Sequence, residues 1–283
     1  MISTTSFLAC FVTLFASLIL PVLVLIVYAV KNKGQGIFSA WLLGVAGFVV
    51  PQLLIRLPLL NLLAAADGFA SFSQNHLFLY SFSLAFTAGL FELAGRFAAA
   101  KLLGKHLTFR RSLAAGLGHG GIEAMLIVGL TYVNNLIFMF MIQTGSFDAL
   151  IAQTAASGTD ASQLTAIRDI LLQTSGTLYL LAGLERLLTM VCQTALSMIV
   201  CYGVYTGHTL RGLLVCLGMH TLLDTSAGIS LLAGSVISQS TAYLIIYALL
   251  AIIAAVSLLV LKHIRTRWCD GPAQSQCIAG GTL

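Results

Sequence analysis

Hydrophobic residues along this 283-residue chain fall in runs of about 20 residues or more, separated by short polar segments. An α-helix rises about 1.5 Å per residue, so each run is long enough to cross the ~30 Å hydrocarbon core of a bilayer. The pattern predicts an all-α, polytopic helical membrane protein with about seven transmembrane helices. The predicted spans are 5–30, 37–62, 77–100, 113–142, 174–204, 212–233 and 239–262.

The composition agrees with this interpretation. Hydrophobic residues make up 59% of the chain, and the mean hydropathy is +0.99. We expect one transmembrane domain over 1–267 and a short polar tail over 268–283, and we assign no role to Cys269 and Cys277 in that tail. The long polar connection at 143–173 contains a helical apolar pattern at roughly 160–172, which is typical of a segment at the membrane interface.

Lysine and arginine positions predict the orientation. Ten of them follow the first, third, fifth and seventh spans, whereas the opposite loops carry only Arg168. The ten are Lys31, Lys33, Lys101, Lys105, Arg110, Arg111, Arg211, Lys262, Arg265 and Arg267. By the positive-inside rule the N-terminus is outside and the C-terminus is cytoplasmic, in a multi-pass protein of the plasma membrane. The net charge of +5 is therefore an orientation signal, and we expect no nucleic-acid partner.

Six of the ionisable residues inside the predicted spans form three pairs with a spacing of four residues, although only 8% of the chain is charged. The pairs are Glu92 with Arg96, His119 with Glu123, and His220 with Asp224. This spacing places both members of a pair on one helical face. A charge near the bilayer centre costs at least ~2.5–3.5 kcal/mol, so such pairs indicate a function.

The depth of these residues shows whether they can meet. Counted from the predicted cytoplasmic ends, the carboxylates and histidines lie roughly 9–18 Å into the membrane, all in one layer. Gln193 falls in or near this layer, and Glu185 lies about two turns further out beside Arg186. Adjacent residues point in different directions on a helix, so we expect Glu185 and Arg186 not to pair face to face. Arg56, between two prolines, is expected to snorkel or to bind a freed backbone carbonyl.

Two histidines and three carboxylates supply nitrogen and oxygen ligands of the kind that zinc accepts. Four glycines surround the first pair in the segment 116–124, where they allow another helix or a substrate to approach closely. Each residue also has a simpler interpretation. Glu92 and Arg96 suit an intrahelical ion pair, and a single buried histidine is more often hydrogen-bonded than bound to metal. Spacing alone leaves the presence of a metal open.

At these residues the chain resembles the YhfC-like family of intramembrane metalloproteases, which is related to the CAAX-protease and bacteriocin-processing (CPBP) and PrsW-like families. The resemblance covers about 90–225. Its motifs are E-x-x-x-R at Glu92–Arg96, G-H-G-G-x-E at Gly118–Glu123, E-R at Glu185–Arg186, and H-x-x-x-D at His220–Asp224.

The resemblance implies a zinc-dependent peptidase that acts on a peptide or membrane-protein substrate near the cytoplasmic leaflet. Glu92 would be the general base, with Arg96 orienting it. The implied metal ligands are His119, Glu123, His220 and Asp224, and the additional residues that could line the site are Glu185 and Gln193.

Two departures from the family pattern concern the site. The first motif has a single glutamate, and Gln193 stands where a histidine is expected after the E-R motif. Because glutamine is a poor zinc ligand, one alternative is a catalytically inactive relative of the proteases. The other is a non-enzymatic binding or transport protein that uses the buried carboxylates and histidines for a cation, a proton or a small substrate.

Overall fold

The computed structural model describes residues 1–66, 68–229 and 237–269, and the described chain is helical almost throughout. We number the helices α1 to α10 in chain order. Their bounds are Thr4–Lys31 (α1), Ile37–Ala64 (α2), Phe69–Asn75 (α3), Leu77–His106 (α4), Phe109–Thr144 (α5), Ser146–Ala156 (α6), Ser162–Gln173 (α7), Gly176–Tyr205 (α8), Thr209–Gly228 (α9) and Gln239–Arg267 (α10).

Six of these helices are long and apolar enough to cross a membrane: α1, α2, α4, α5, α8 and α10. They correspond to six of the seven predicted spans, so the predicted all-α membrane fold is confirmed. The remaining predicted span, 212–233, corresponds to α9, whose 20 residues include Arg211, His220 and Asp224. The seventh span and the orientation stay predictions. Apart from Trp268 and Cys269, the predicted tail lies outside the described residues.

Three of the long helices contain a wider, π-helical segment: Phe15–Ile19 in α1, Val49–Arg56 in α2 and Ala124–Gly129 in α5. The segment in α2 includes Pro51, which has no backbone N–H to donate to the carbonyl one turn earlier. Such segments are frequent at functional sites because they change the direction in which side chains leave the helix. In α2 the segment carries two buried polar residues, Gln52 and Arg56.

The chain divides into two compact units. The first consists of Met1–Leu23 and Glu123–Leu187. Its core contains Cys10, Tyr132, Met139 and Tyr179. The polar connection predicted at 143–173 forms α6 and α7 in this unit, and Arg168 of α7 donates to Asp148 of α6 at 2.8 Å.

The second unit consists of Val24–Ile122 and Leu188–Leu283. Here α4 packs against both α2 and α9. One core cluster joins α8 to α9 and to the end of α10 around Leu196, Met198, Cys216 and Trp268. Large apolar residues such as Leu62 and Phe78 are exposed, whereas the charged residues Glu92 and Arg96 on α4 are buried. This inside-out distribution suits a hydrocarbon solvent.

Candidate functional site

The carboxylate of Glu92 is the centre of a buried polar cluster in the second unit. Arg96, one turn later on α4, donates from Nη2 to Glu92 Oε2 at 3.0 Å. The Nε2 atoms of His119 and His220 lie 3.0 Å and 2.9 Å from the same oxygen. All four residues are at most 3% exposed. Two histidines that are 101 positions apart in the chain therefore direct a ring nitrogen at one carboxylate oxygen.

The surroundings of each histidine fix its ring. His119 on α5 receives the edge of the Phe48 ring, with centroids 5.5 Å apart and planes at 80°. His220 on α9 lies against Gly89 of α4, where a methyl group would be 3.4 Å from His220 Nδ1. The predicted pair of Asp224 with His220 is present, with Asp224 Oδ2 3.5 Å from His220 Nδ1. Asp224 thus lies beside the nitrogen that does not face Glu92.

A second polar chain holds the other oxygen of Glu92, and the sequence did not predict it. Gln52 on the π-helical segment of α2 donates from Nε2 to Glu92 Oε1 at 2.9 Å. Arg56 donates to Gln52 Oε1 at 3.3 Å and to the backbone carbonyl of Leu84 at 2.7 Å, and it also contacts Thr87 Oγ1. Arg56 therefore binds a backbone carbonyl, as predicted, but this carbonyl belongs to α4 and is not one freed by a proline in its own helix.

The signal that could have revealed Gln52 is the spacing of Gln52 and Arg56. They are four residues apart in an otherwise apolar span, which is the pattern used for the other pairs. A neutral amide costs less to bury than a charge, so Gln52 gives a weaker signal in the sequence than a buried ionisable residue does.

Gln193 of α8 is buried at the predicted position and accepts a hydrogen bond from Arg96 Nη2. Arg96 thus bridges Gln193 and Glu92. The Arg96 Nε and Nη1 atoms and the Nδ1 atoms of His119 and His220 have no hydrogen-bond partner among the described residues. A cavity of about 10 Å³ is bordered by Arg96, His119 and Ser197. This is about the room that one buried water molecule needs.

Glycines allow the backbones of the surrounding helices to approach closely. A methyl group at Gly116 would be 2.9 Å from the carbonyl oxygen of Thr194 on α8, and one at Gly118 would overlap the carbonyl of Trp41 on α2. The glycines before His119 therefore face neighbouring helices on both sides. Their role in this structure is close helix packing around the histidine, one of the two roles expected from the sequence.

Glu185 and Arg186 pair with each other in the first unit, which corrects the expectation that adjacent residues on a helix cannot meet. Arg186 Nη2 donates to Glu185 Oε1. The guanidinium is long enough to fold back along the helix surface, although the two Cβ atoms point in different directions. Arg186 Nη1 also lies 3.6 Å from Glu123 Oε1. Glu185 is about a third exposed at its side chain, so it is less enclosed than Glu92.

Glu92 and His119, both buried in the second unit, are described residues that could hold a metal ion. Their carboxylate oxygen and imidazole nitrogen are ligand types that zinc and other divalent ions accept, so these residues fit a metal. His220 directs its Nε2 at the same oxygen of Glu92. Glu123 is buried one turn past His119, where it ends the first α-helical part of α5 and begins the second segment of the first unit.

Comparison with known proteins gives the family. The model of a family described as "YhfC intramembrane metalloprotease" matches residues 16–247. The chain belongs to the YhfC family. It is 31% identical over 193 residues, 68% of this chain and 72% of the relative, to the "Uncharacterized membrane protein YhfC" of Bacillus subtilis (strain 168). The resemblance stated from the sequence motifs is thereby confirmed. No solved structure matches the chain.

Proposed function

We propose that the chain is a membrane-embedded metalloprotease that hydrolyses a peptide or membrane-protein substrate near the cytoplasmic leaflet. The observation that supports this most directly is the convergence of His119 Nε2 and His220 Nε2 on one oxygen of Glu92, deep in the helical core. Membership of a family described as intramembrane metalloproteases gives the reaction class. Two imidazoles and a carboxylate resemble the ligand sets of catalytic zinc sites.

In this proposal His119 and His220 would hold the metal, with Glu123 as the further ligand that the family motif implies, and zinc is the ion that their donor atoms suit best. If bound there, zinc would activate a water molecule and polarise the carbonyl group of the scissile bond. Asp224 has a different role from the ligand expected from the sequence. Because Asp224 Oδ2 lies beside His220 Nδ1, we propose that Asp224 orients this ring. Carboxylates often orient metal-binding histidines in this way.

Glu92 is the proposed general base. Its Oε2 faces both histidines, so it is placed to accept a proton from a water molecule held at that point and later to pass it to the leaving amine. Gln52 holds Oε1, and Arg96 donates to Oε2, so the carboxylate is fixed from two helices. A base with a fixed carboxylate loses little orientational freedom when the reaction begins.

Elemental analysis of the purified full-length protein, reconstituted with zinc, tests the metal site. We expect about one zinc per chain in the parent and loss of most of it in His119→Ala and in His220→Ala, because each removes a nitrogen ligand. His106→Ala and His208→Ala, which alter exposed histidines, are the matched controls and should retain the metal. Retention of zinc in both buried-histidine variants would remove the proposed site.

Glu92→Gln separates a base from a ligand. Glutamine keeps the size and most hydrogen bonds of Glu92 but cannot take a proton, so we expect zinc to remain while peptide cleavage falls by at least a hundredfold. Cleavage is measured by mass spectrometry of a membrane-anchored peptide library incubated with the parent. Loss of zinc together with cleavage would instead place Glu92 among the metal ligands, and undiminished cleavage would exclude it from the mechanism.

One observation favours a second candidate, a family member that does not use a metal. Arg96 donates to both Gln193 and Glu92, so a fixed positive charge already neutralises the carboxylate. A cation bound at Glu92 Oε2 would be repelled by this guanidinium. Absence of zinc and of cleavage in the parent, with zinc bound only by Gln193→His, supports this candidate over the protease.

A further inference from the structure

A cavity of about 520 Å³ lies in the second unit, outside the polar cluster around Glu92. Three helix ends form its walls. Asn32 follows the end of α1, Arg110 lies in the first turn of α5, and Arg265 and Trp268 lie at the end of α10. The apolar part of the wall is formed by Phe109 and Leu113. All of these ends belong to the side that carries the excess of lysine and arginine.

Two of the polar groups around this cavity carry a positive charge. Arg110 and Arg265 contribute guanidinium groups, Asn32 contributes an amide, Tyr28 contributes a hydroxyl, and none of the described residues that line the cavity is a carboxylate. Arg110 Nη1 donates to the neutral side chain of Gln35, which leaves the charge of Arg110 unneutralised by that contact. Two arginines that share a cavity, with no acid among its described lining residues, favour an anionic ligand.

Trp268 provides an independent indication. The residue is 8% exposed, and its Nε1 has no hydrogen-bond partner among the described residues. The ring itself is held firmly, because it stacks on Tyr205 with centroids 4.5 Å apart and meets the Phe109 ring at 6.1 Å. A buried indole N–H that lacks an acceptor is costly, and a ligand oxygen in the cavity that Trp268 lines would remove this cost.

We propose that this cavity binds the phosphate group of an anionic phospholipid. The two guanidiniums and the Trp268 N–H supply donors for phosphate oxygens, and Phe109 and Leu113 face the apolar part of the lipid. Basic pockets between transmembrane helices, at the end where arginine and lysine are in excess, have the charge and position to recognise such headgroups. The site is independent of the proposed protease reaction.

Fluorescence of Trp268 tests the proposal in the full-length protein. The chain has two tryptophans, so Trp41→Phe leaves Trp268 as the single reporter. In a nonionic detergent, we titrate dihexanoylphosphatidylglycerol, dihexanoylphosphatidylcholine and inorganic phosphate at constant ionic strength. We expect a saturable change with phosphatidylglycerol, at least tenfold weaker binding of phosphatidylcholine, and weaker binding of inorganic phosphate, which lacks an apolar part. Equal affinity for both lipids, or saturation by phosphate at the same concentration, overturns the lipid site.

Matched charge variants show whether phosphatidylglycerol binding depends on the two arginines of the cavity or on the overall positive charge of the protein. The double variant Arg110→Gln, Arg265→Gln should weaken phosphatidylglycerol binding about thirtyfold, since each arginine near a membrane surface contributes about fivefold. The double variant Arg211→Gln, Arg267→Gln removes the same charge from residues that do not line the cavity. It should weaken phosphatidylglycerol binding less than threefold. Thermal unfolding of each variant shows that it is folded. Equal losses in both double variants would mean diffuse attraction and would overturn the proposal.

Discussion

Glu92 shows how a single buried carboxylate is made tolerable inside an apolar bundle. An unpaired charge in this environment would cost several kcal/mol, and removal of one partner from a buried pair costs about 3–5 kcal/mol. Here Oε1 accepts from Gln52, and Oε2 accepts from Arg96 and faces two imidazoles. The residue is therefore held by groups from four helices, and changes in any of them should be measurable.

Gln52→Met tests the support of Oε1. Methionine has nearly the same volume but no amide, so Glu92 loses a donor and Arg56 loses an acceptor. We expect a destabilisation of about 1.5–3 kcal/mol, as for a hydrogen bond to a charged group, measured by unfolding in detergent. We also expect a reduced zinc content. Gln239→Met, at an exposed glutamine, is the control and should change neither quantity. If Gln52→Met changes neither the stability nor the zinc content, the amide of Gln52 does not support the carboxylate of Glu92.

Gln193→His tests the departure from the family pattern. Gln193 accepts from Arg96, and a histidine there would bring a nitrogen ligand into the same buried layer. We expect zinc occupancy, measured by elemental analysis, to rise or to stay unchanged, because glutamine coordinates zinc weakly and its loss removes no ligand. A clear fall in zinc occupancy would show that the amide of Gln193 is needed to hold Arg96 in place.

The candidate site was largely predictable from the sequence because its ionisable residues are rare and regularly spaced. Spacing of four residues and a shared depth were enough to bring Glu92, His119 and His220 to one layer. The same reasoning could not say that both histidines would face Glu92 itself, since this depends on how α4, α5 and α9 are rotated about their axes. It also missed the pairing of Arg186 with Glu185, because a long flexible side chain can reach groups that its Cβ does not face.

At the level of helices, close packing replaces a large apolar core, since helices in a bilayer gain little from burying apolar surface alone. A methyl group at Gly47 of α2 would be 3.0 Å from the Gly95 carbonyl oxygen of α4. At Gly44, also on α2, it would overlap the Ala115 carbonyl of α5. The helices that carry Glu92 and His119 are thus positioned by contacts between backbones.

Gly44→Ala and Gly218→Ala form a matched pair that tests this packing. Alanine at Gly44 requires α2 and α5 to separate, so we expect a loss of about 1–3 kcal/mol in stability and reduced zinc binding. Gly218 on α9 has no atom within 4 Å of an added methyl group. The same substitution there should be neutral or stabilising by about 0.5–1 kcal/mol, because alanine favours helix. Thermal unfolding in detergent measures both, and similar behaviour of the two variants would contradict the packing argument.

For the whole molecule, the positions of lysine and arginine predict the orientation in the membrane, and the apolar runs predict the number of spans. The number of helices able to cross a bilayer depends on local apolar length, which a sequence reports well for six of them. Helix α9 is harder to classify because the residues that bring His220 and Asp224 to the site also reduce its apolar character. Whether α9 crosses the membrane decides whether the two ends of the chain lie on opposite sides.

Topology reporters test this directly. A reporter fused after Arg267 should be cytoplasmic, and one inserted near Ser157, between α6 and α7, should be external, because ten lysines and arginines against one favour that orientation. Alkaline phosphatase and green fluorescent protein serve as a complementary pair, one active outside and one fluorescent inside. A reporter inserted between α1 and α2, near Gly34, is the control and should lie on the same side of the membrane as the reporter after Arg267. The reverse pattern would overturn the orientation and the cytoplasmic access of the site. Reporters on the same side at Ser157 and Arg267 would instead show that α9 does not cross.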